Sequence, residues 1–379
     1  MSYSSFAKMY YFSFFGGGAF YMFIAKYLLS IGFTGSQIGV ITSMGALIVM
    51  IFQPLWGYLS DRKDKTTEIL ITMLLATIII VSILPFVKTY LVVLIIFMLF
   101  YIFQSGMSPI QDSMALKSPF EYGKLRQWGS IGFAISVAMT GFLIDKINIY
   151  VIFVILIFSY ILAILAIKRI KIPKKLKEDD VIHLKEVLKL FKNKKYTLFL
   201  LASFFVWGTV STHNTYFAVY YEGLGGTMSG VGLAVLLFAG SEVPFMIYAE
   251  KVIKKVGLEM ILIFATLMFF VRWIWYFYQP SPILVITFFI IQGLSIGIYI
   301  VAATMYIKKN VRKEYRGTAL AIYASVGGGF SSVIYLFFSG KILDAYGVKY
   351  IYMFLGIGTL IGLVFLIKLY MNAKKGFAK

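Results

Sequence analysis

A chain of 379 residues with 60% hydrophobic and only 14% charged residues lies outside the composition of soluble and of disordered domains alike. Its formal net charge of +20 would suit a nucleic-acid partner, but the cations stand between long apolar runs, where they face anionic lipid headgroups instead, and a nucleic-acid role is rejected. The absence of cysteine excludes disulfides, thiolate catalysis and cysteine-held metals.

Twelve apolar stretches fill the chain in order: residues 9–31, 37–60, 66–87, 90–116, 124–146 and 148–169, then 196–221, 229–251, 257–279, 282–307, 315–340 and 347–370. A helix rises about 1.5 Å per residue, so roughly 20 apolar residues cross a hydrocarbon core of about 30 Å. The runs are continuously apolar with no period-2 alternation, which predicts helices rather than barrel strands. The first run lacks a small-residue cleavage site and reads as a retained helix. Between the sixth and seventh runs, the stretch from Lys168 to Lys195 is dense in lysine and carries Pro173 and the acids Glu178, Asp179 and Asp180. Within it Val181, Leu184, Val187, Leu188 and Phe191 recur at helical spacing opposite Lys185, Glu186 and Lys189, which predicts an amphipathic helix on the inner membrane surface. The expected organisation is a first six-helix bundle over 1–169, a cytoplasmic linker over 170–195 and a second six-helix bundle over 196–379.

The cations fix the orientation. With both termini cytoplasmic, 30 of the 36 Lys and Arg residues fall on the inner side, and the outer side keeps only Lys88, Lys146, Lys341 and Lys349. Lys26 and Arg272 lie inside runs. The halves also repeat faintly. Glu121-Tyr122 recurs as Glu314-Tyr315, Ser36-x-x-Gly39 as Ser229-x-x-Gly232, and Gly141-x-x-x-Asp145 as Gly340-x-x-x-Asp344. Six spans is an even number, so the two copies enter the membrane in one orientation, a layout associated with alternating access.

The connection Gly57-Tyr58-Leu59-Ser60-Asp61-Arg62-Lys63-Asp64-Lys65 resembles the loop signature of the major facilitator superfamily. That resemblance implies an all-α membrane protein of 12 transmembrane helices, in two six-helix bundles related by a pseudo-twofold axis. It also implies that Asp61 and Arg62 help to latch the cytoplasmic side. Further stretches, Tyr122-Gly123-Lys124-Leu125-Arg126-Gln127-Trp128-Gly129-Ser130-Ile131-Gly132-Phe133, Glu242-Val243-Pro244, Arg272-Trp273 and Gln292-Gly293-Leu294, look like the phenylpropionate permease branch. That branch is similar to the lactose permease and nucleoside symporter groups, which implies proton coupling. The chain departs from it in the tenth run, where Gln292 and Tyr299 stand at positions expected to hold histidines.

Charges inside the spans carry the candidate mechanism, because an unpaired one in lipid costs several kcal/mol. Glu242 lies near the middle of the eighth run and Arg272 in the ninth, at depths about 9 Å apart, close enough for an ion pair if the helices are neighbours. A carboxylate at that depth changes its proton affinity with hydration and with the distance of its cation, so the pair is the candidate proton-coupling element. Asp112 and Arg126 stand at matching depths across the fourth and fifth runs, and are expected to form a clasp or inner gate. Lys26 and Glu222 occupy equivalent outer positions of the first and seventh runs, and read either as an outer gate or as two side chains reaching separately to water.

Polar residues at helical spacing outline the expected substrate cavity: Gln104, Ser108 and Gln111; Trp207, Ser211 and Asn214; and Gln292, Ser295 and Tyr299. Tyr21, Gln53 and His213 are candidates to join that lining, His213 also as a proton carrier. Gly16, Gly17, Gly18, Gly129, Gly132 and Gly327 to Gly329 read as helix-contact positions. No Walker sequence is present, and two histidines with no clustered acids leave no parts for an enzyme. The sequence therefore predicts a secondary active transporter of a small organic solute (sugar, nucleoside or aromatic acid), coupled to protons. It is expected to lie in a prokaryotic cytoplasmic membrane as a functional monomer, without cofactor or metal. A proton-driven exporter of drugs or metabolites on the same fold is the alternative.

Overall fold

A computed structural model describes residues 2–63, 65–170, 190–191 and 193–377, with the side chains of 61–63, 314 and 373–377 outside the described set. The predicted amphipathic linker helix, and the Asp61 and Arg62 side chains, therefore lie outside the described residues. Everything described is helix or short connection. Ten helices are long and apolar enough to cross a membrane: α1 (Tyr3–Ser30), α2 (Gly35–Ser60), α3 (Thr66–Phe86), α4 (Tyr90–Leu116), α5 (Tyr122–Lys146), α8 (Met228–Val256), α9 (Leu258–Phe277), α10 (Pro282–Asn310), α11 (Arg316–Tyr346) and α12 (Val348–Asn372). The shorter apolar α6 (Val151–Ile167) and the 30-residue α7 (Lys194–Gly223) occupy the sixth and seventh predicted places. Apolar side chains such as Ile79, Val154, Phe158 and Ile247 are exposed, which a water-soluble protein would not tolerate in such numbers but lipid welcomes.

Several helices are interrupted along their length. The first helix breaks between Tyr21 and Ile24, the fourth at Gly106 between Ser105 and Met107, and the tenth at Phe288 between Thr287 and Phe289. Near the middle of α11, Ala324–Phe330 winds as π-helix through Gly327, Gly328 and Gly329, and the Ser331 and Ser332 hydroxyls turn back onto the Gly327 and Gly328 carbonyls. By contrast, Pro54 in α2 and Pro244 in α8 are accommodated within continuous helices. Gly257 alone joins α8 to α9, and its φ of +95° is a conformation that a side chain would oppose.

Among the described residues the chain forms two compact units. One draws on Met1–Lys177 with Thr215–Leu236, the other on Glu178–Asn214 with Leu237–Lys379. In the first unit α1 lies against α5 and α6, α2 against α4, and α3 against α6. Small residues set the first of these contacts: a methyl group added at Gly132 would sit 2.4 Å from the Tyr11 carbonyl oxygen, and Ser136 donates to the Phe15 carbonyl. In the second unit α9 packs on both α10 and α12. The segment 215–236, the end of α7 and the start of α8, belongs to the first unit through contacts with α1 and α5 described below.

Candidate functional site

In the first unit the clasp expected from sequence has a third member. Asp112 on α4 and Arg126 on α5 approach to 3.9 Å, too long for a hydrogen bond, while the Tyr10 hydroxyl of α1 donates to the same Asp112 oxygen at 2.7 Å. The Arg126 guanidinium lies over the Phe14 ring, 4.2 Å from its centroid. Tyr10 and Phe14 were not foreseen, although their i, i+4 spacing puts them on one face of α1. Asp112 and Arg126 are 30% and 32% exposed, so this group is only partly enclosed.

The polar stripe of α4 is spent on neighbouring helices. Gln111 donates to Ser13 of α1 at 2.7 Å, and Gln104 to Tyr160 of α6 at 2.6 Å. Tyr21 and Gln53 are exposed. Tyr21 keeps ring contacts with Phe20 and Phe100. Lys26 bonds to Glu222, joining α1 to the end of α7. A second link was not read from sequence, although both of its motifs were. The Asp145 carboxylate, in the last turn of α5, accepts from the Met228 and Ser229 backbone N–H groups at 2.9 and 2.7 Å and from the Ser229 hydroxyl at 2.6 Å, capping α8.

In the second unit Trp207 donates from its indole to the Tyr323 hydroxyl at 2.7 Å and meets the Tyr299 ring edge-on at 5.9 Å. The Tyr299 hydroxyl is 3.2 Å from Ser203 Oγ. Asn214 is exposed. His213 is buried, with Nδ1 3.1 Å from the Tyr352 hydroxyl, Gln292 beside it, and the rings of Trp273, Tyr276 and Phe289 within 6 Å.

The expected ion pair between Glu242 and Arg272 is not formed. Arg272 is 1% exposed and stacks over Trp273, 4.1 Å from the ring centroid, with no acid within 4.0 Å among the described residues. Glu242 is half-buried and faces α10 at close range instead. A methyl group added at Gly293 would lie 2.8 Å from the Glu242 backbone nitrogen, and one at Gly297 3.0 Å from its carbonyl oxygen. These two glycines let α10 close on the α8 backbone at the level of Glu242, and a depth counted along a helix does not say toward which neighbour a side chain turns. No group of three or more His, Asp or Glu residues among the described ones is placed to hold a metal ion.

Membrane-length helices carrying buried polar and charged groups define a multi-pass membrane transporter without enzymatic chemistry, and the comparisons agree. The chain belongs to the MFS_1 like family of the major facilitator superfamily, whose profile matches residues 3–354. It is 31% identical over 370 residues to the maltose permease of Geobacillus stearothermophilus, covering 96% of this chain and 93% of that one. It is 32% identical over 366 residues to the uncharacterized transporter YwbF of Bacillus subtilis (strain 168), covering 95% and 91%. The crystal structure of the nucleoside transporter NupG superposes with a TM-score of 0.84 at 14% identity, over 97% of this chain and 98% of that one, which shows a shared fold.

Proposed function

We propose that the protein is a secondary active transporter with twelve spans and cytoplasmic termini, carrying a small organic solute across the cytoplasmic membrane by alternating access in symport with protons. The sugar class is the first to test, because the relative named maltose permease matches this chain over nearly its whole length. A nucleoside or an aromatic acid comes next, since relatives named nucleoside permease and probable 3-phenylpropionic acid transporter also match.

The observation that carries the proton coupling is the separation of Glu242 from Arg272. Among the described residues, no cation lies within 4.0 Å of the half-buried Glu242 carboxylate on α8, and no acid lies within 4.0 Å of the fully buried Arg272 on α9. Such a carboxylate changes its protonation as its surroundings change between wet and dry, and as its distance to the cation changes. Solute recognition in this reading uses Trp207, Tyr299, His213 and Gln292 of the second unit, while Tyr10, Asp112 and Arg126 of the first form the clasp or inner gate.

Proteoliposomes test the proposal. A ligand found by a thermal-shift screen of sugars, nucleosides and aromatic acids is labelled, and a proton gradient is imposed in each direction. Accumulation with inward-directed protons supports symport; solute driven against an inward proton gradient supports the exporter reading. Indifference to the gradient removes the coupling.

A further inference from the structure

We infer that the Arg272 guanidinium is the receptor for a small monovalent anion, whose charge is carried by a free halide or by the carboxylate of an organic acid. Nε, Nη1 and Nη2 of Arg272 are buried and all three lack a hydrogen-bond partner. An arginine side chain carries five N–H donors and keeps its proton in a protein, so neutralisation is closed to it. The faces of Trp273 and Phe269, 4.1 and 5.5 Å from the guanidinium carbon, favour the charge but take none of its in-plane hydrogen bonds. The polar groups close enough to act on it electrostatically, His213, Tyr276 and Tyr352, bring no carboxylate.

Among the described residues of the second unit, no acid lies within 4.0 Å of Arg272. Glu259 lies 4.0 Å from Lys309, and Glu242 is held on α8 against Gly293 and Gly297 of α10. The shortfall also extends beyond the arginine. The buried Trp273 indole N–H has no partner either. Water could complete hydrogen bonds at these atoms, but water brings no charge, and a buried cation needs a counter-charge as well as acceptors. The enclosure by His213, Trp273, Tyr276 and Tyr352, whose rings pack within 6.5 Å of one another, limits the occupant to a small group. This inference goes beyond the transport reading and does not depend on it.

The test reads binding, not transport. Purified full-length protein is melted at constant ionic strength, set with sodium methanesulfonate, while chloride or bromide is titrated in one arm and formate or benzoate in the other. A saturable rise in Tm of about 4 °C at roughly a hundred-fold excess over Kd is expected in at least one arm. The rise should vanish in Arg272→Gln and persist in Lys341→Gln, which removes an unrelated outer cation. A response confined to the halide arm identifies a free inorganic anion; one confined to the carboxylate arm identifies an acid group. Should Arg272→Gln fail to fold, Arg272→Lys, which keeps the charge but loses the planar fork, is expected to weaken binding about ten-fold or more. Where the halide arm responds, crystals of the native chain soaked in bromide should show an anomalous peak at the guanidinium. Absence of a saturable shift in both arms, a shift unchanged by loss of Arg272, or a halide response without a bromide peak there overturns the inference.

Discussion

The carboxylate of Asp145 caps a helix that is not its own, receiving both the backbone N–H and the hydroxyl of Ser229. It stands at the C-terminal end of α5, where a negative charge is disfavoured by the helix dipole, and at the N-terminal end of α8, where one is favoured. Replacing Asp145 with Ala is expected to destabilise the protein by about 1–3 kcal/mol, since it strands the first N–H groups of α8. Asp145→Asn should lose less, because its amide oxygen still accepts. Thermal unfolding in detergent measures both, and an unchanged Tm in Asp145→Ala would show that the cap contributes nothing.

Directly behind that cap, α5 and α8 touch through glycine. A methyl group at Gly141 would lie 2.1 Å from the Met228 carbonyl oxygen, and one at Gly232 would lie 2.5 Å from the Ala138 Cα. Backbone cannot yield as a flexible side chain can, so Gly141→Val and Gly232→Val should each cost about 1–3 kcal/mol and separate the helices. Uptake in cells, normalised to the amount of folded protein, should fall sharply in both. Native uptake in either variant would show that the close approach is dispensable.

Lys26 and Glu222 are 20% and 49% exposed, and a pair that wet is worth little in isolation. Exchanging the two charges tests it by a double-mutant cycle. Lys26→Glu and Glu222→Lys singly should destabilise by no more than about 1 kcal/mol, with recovery in the double exchange. Additive losses would mean that the two charges act separately.

Glu242→Gln is expected to abolish uphill solute accumulation while sparing solute exchange, because a glutamine keeps the volume and hydrogen bonding of the protonated acid but carries no proton across. Counterflow and gradient-driven uptake in proteoliposomes separate the two. Undiminished accumulation would remove Glu242 from the coupling.

Much of the fold is visible in hydropathy, because a lipid-crossing helix must satisfy its backbone internally and hide its charge. The predicted runs and the observed helices agree to within several residues, including α6 beginning at Val151 and α9 beginning at Leu258. Polar spacing did not give the partners: Gln104 and Gln111, expected in a cavity lining, are each taken by a neighbouring helix. Depth along a helix can be counted from a sequence, whereas azimuth and neighbour cannot. Asp112 and Arg126 approach each other across one connection, whereas Glu242 and Arg272, also on helices consecutive in the chain, do not pair, because matching depth leaves the azimuth of each side chain open. The meeting of Asp145 with Ser229, 84 positions apart, was hidden for the same reason, although both had been noted within repeated motifs.

The π-wound glycines of α11 have a mechanical corollary. An i to i+5 ladder holds more residues per turn than its α counterpart, so rewinding Ala324–Phe330 would swivel everything from Ser331 to Tyr346 about its own axis with no covalent bond broken. A column able to twist between two ladders can turn different side chains toward the interior, a degree of freedom that rigid rods lack.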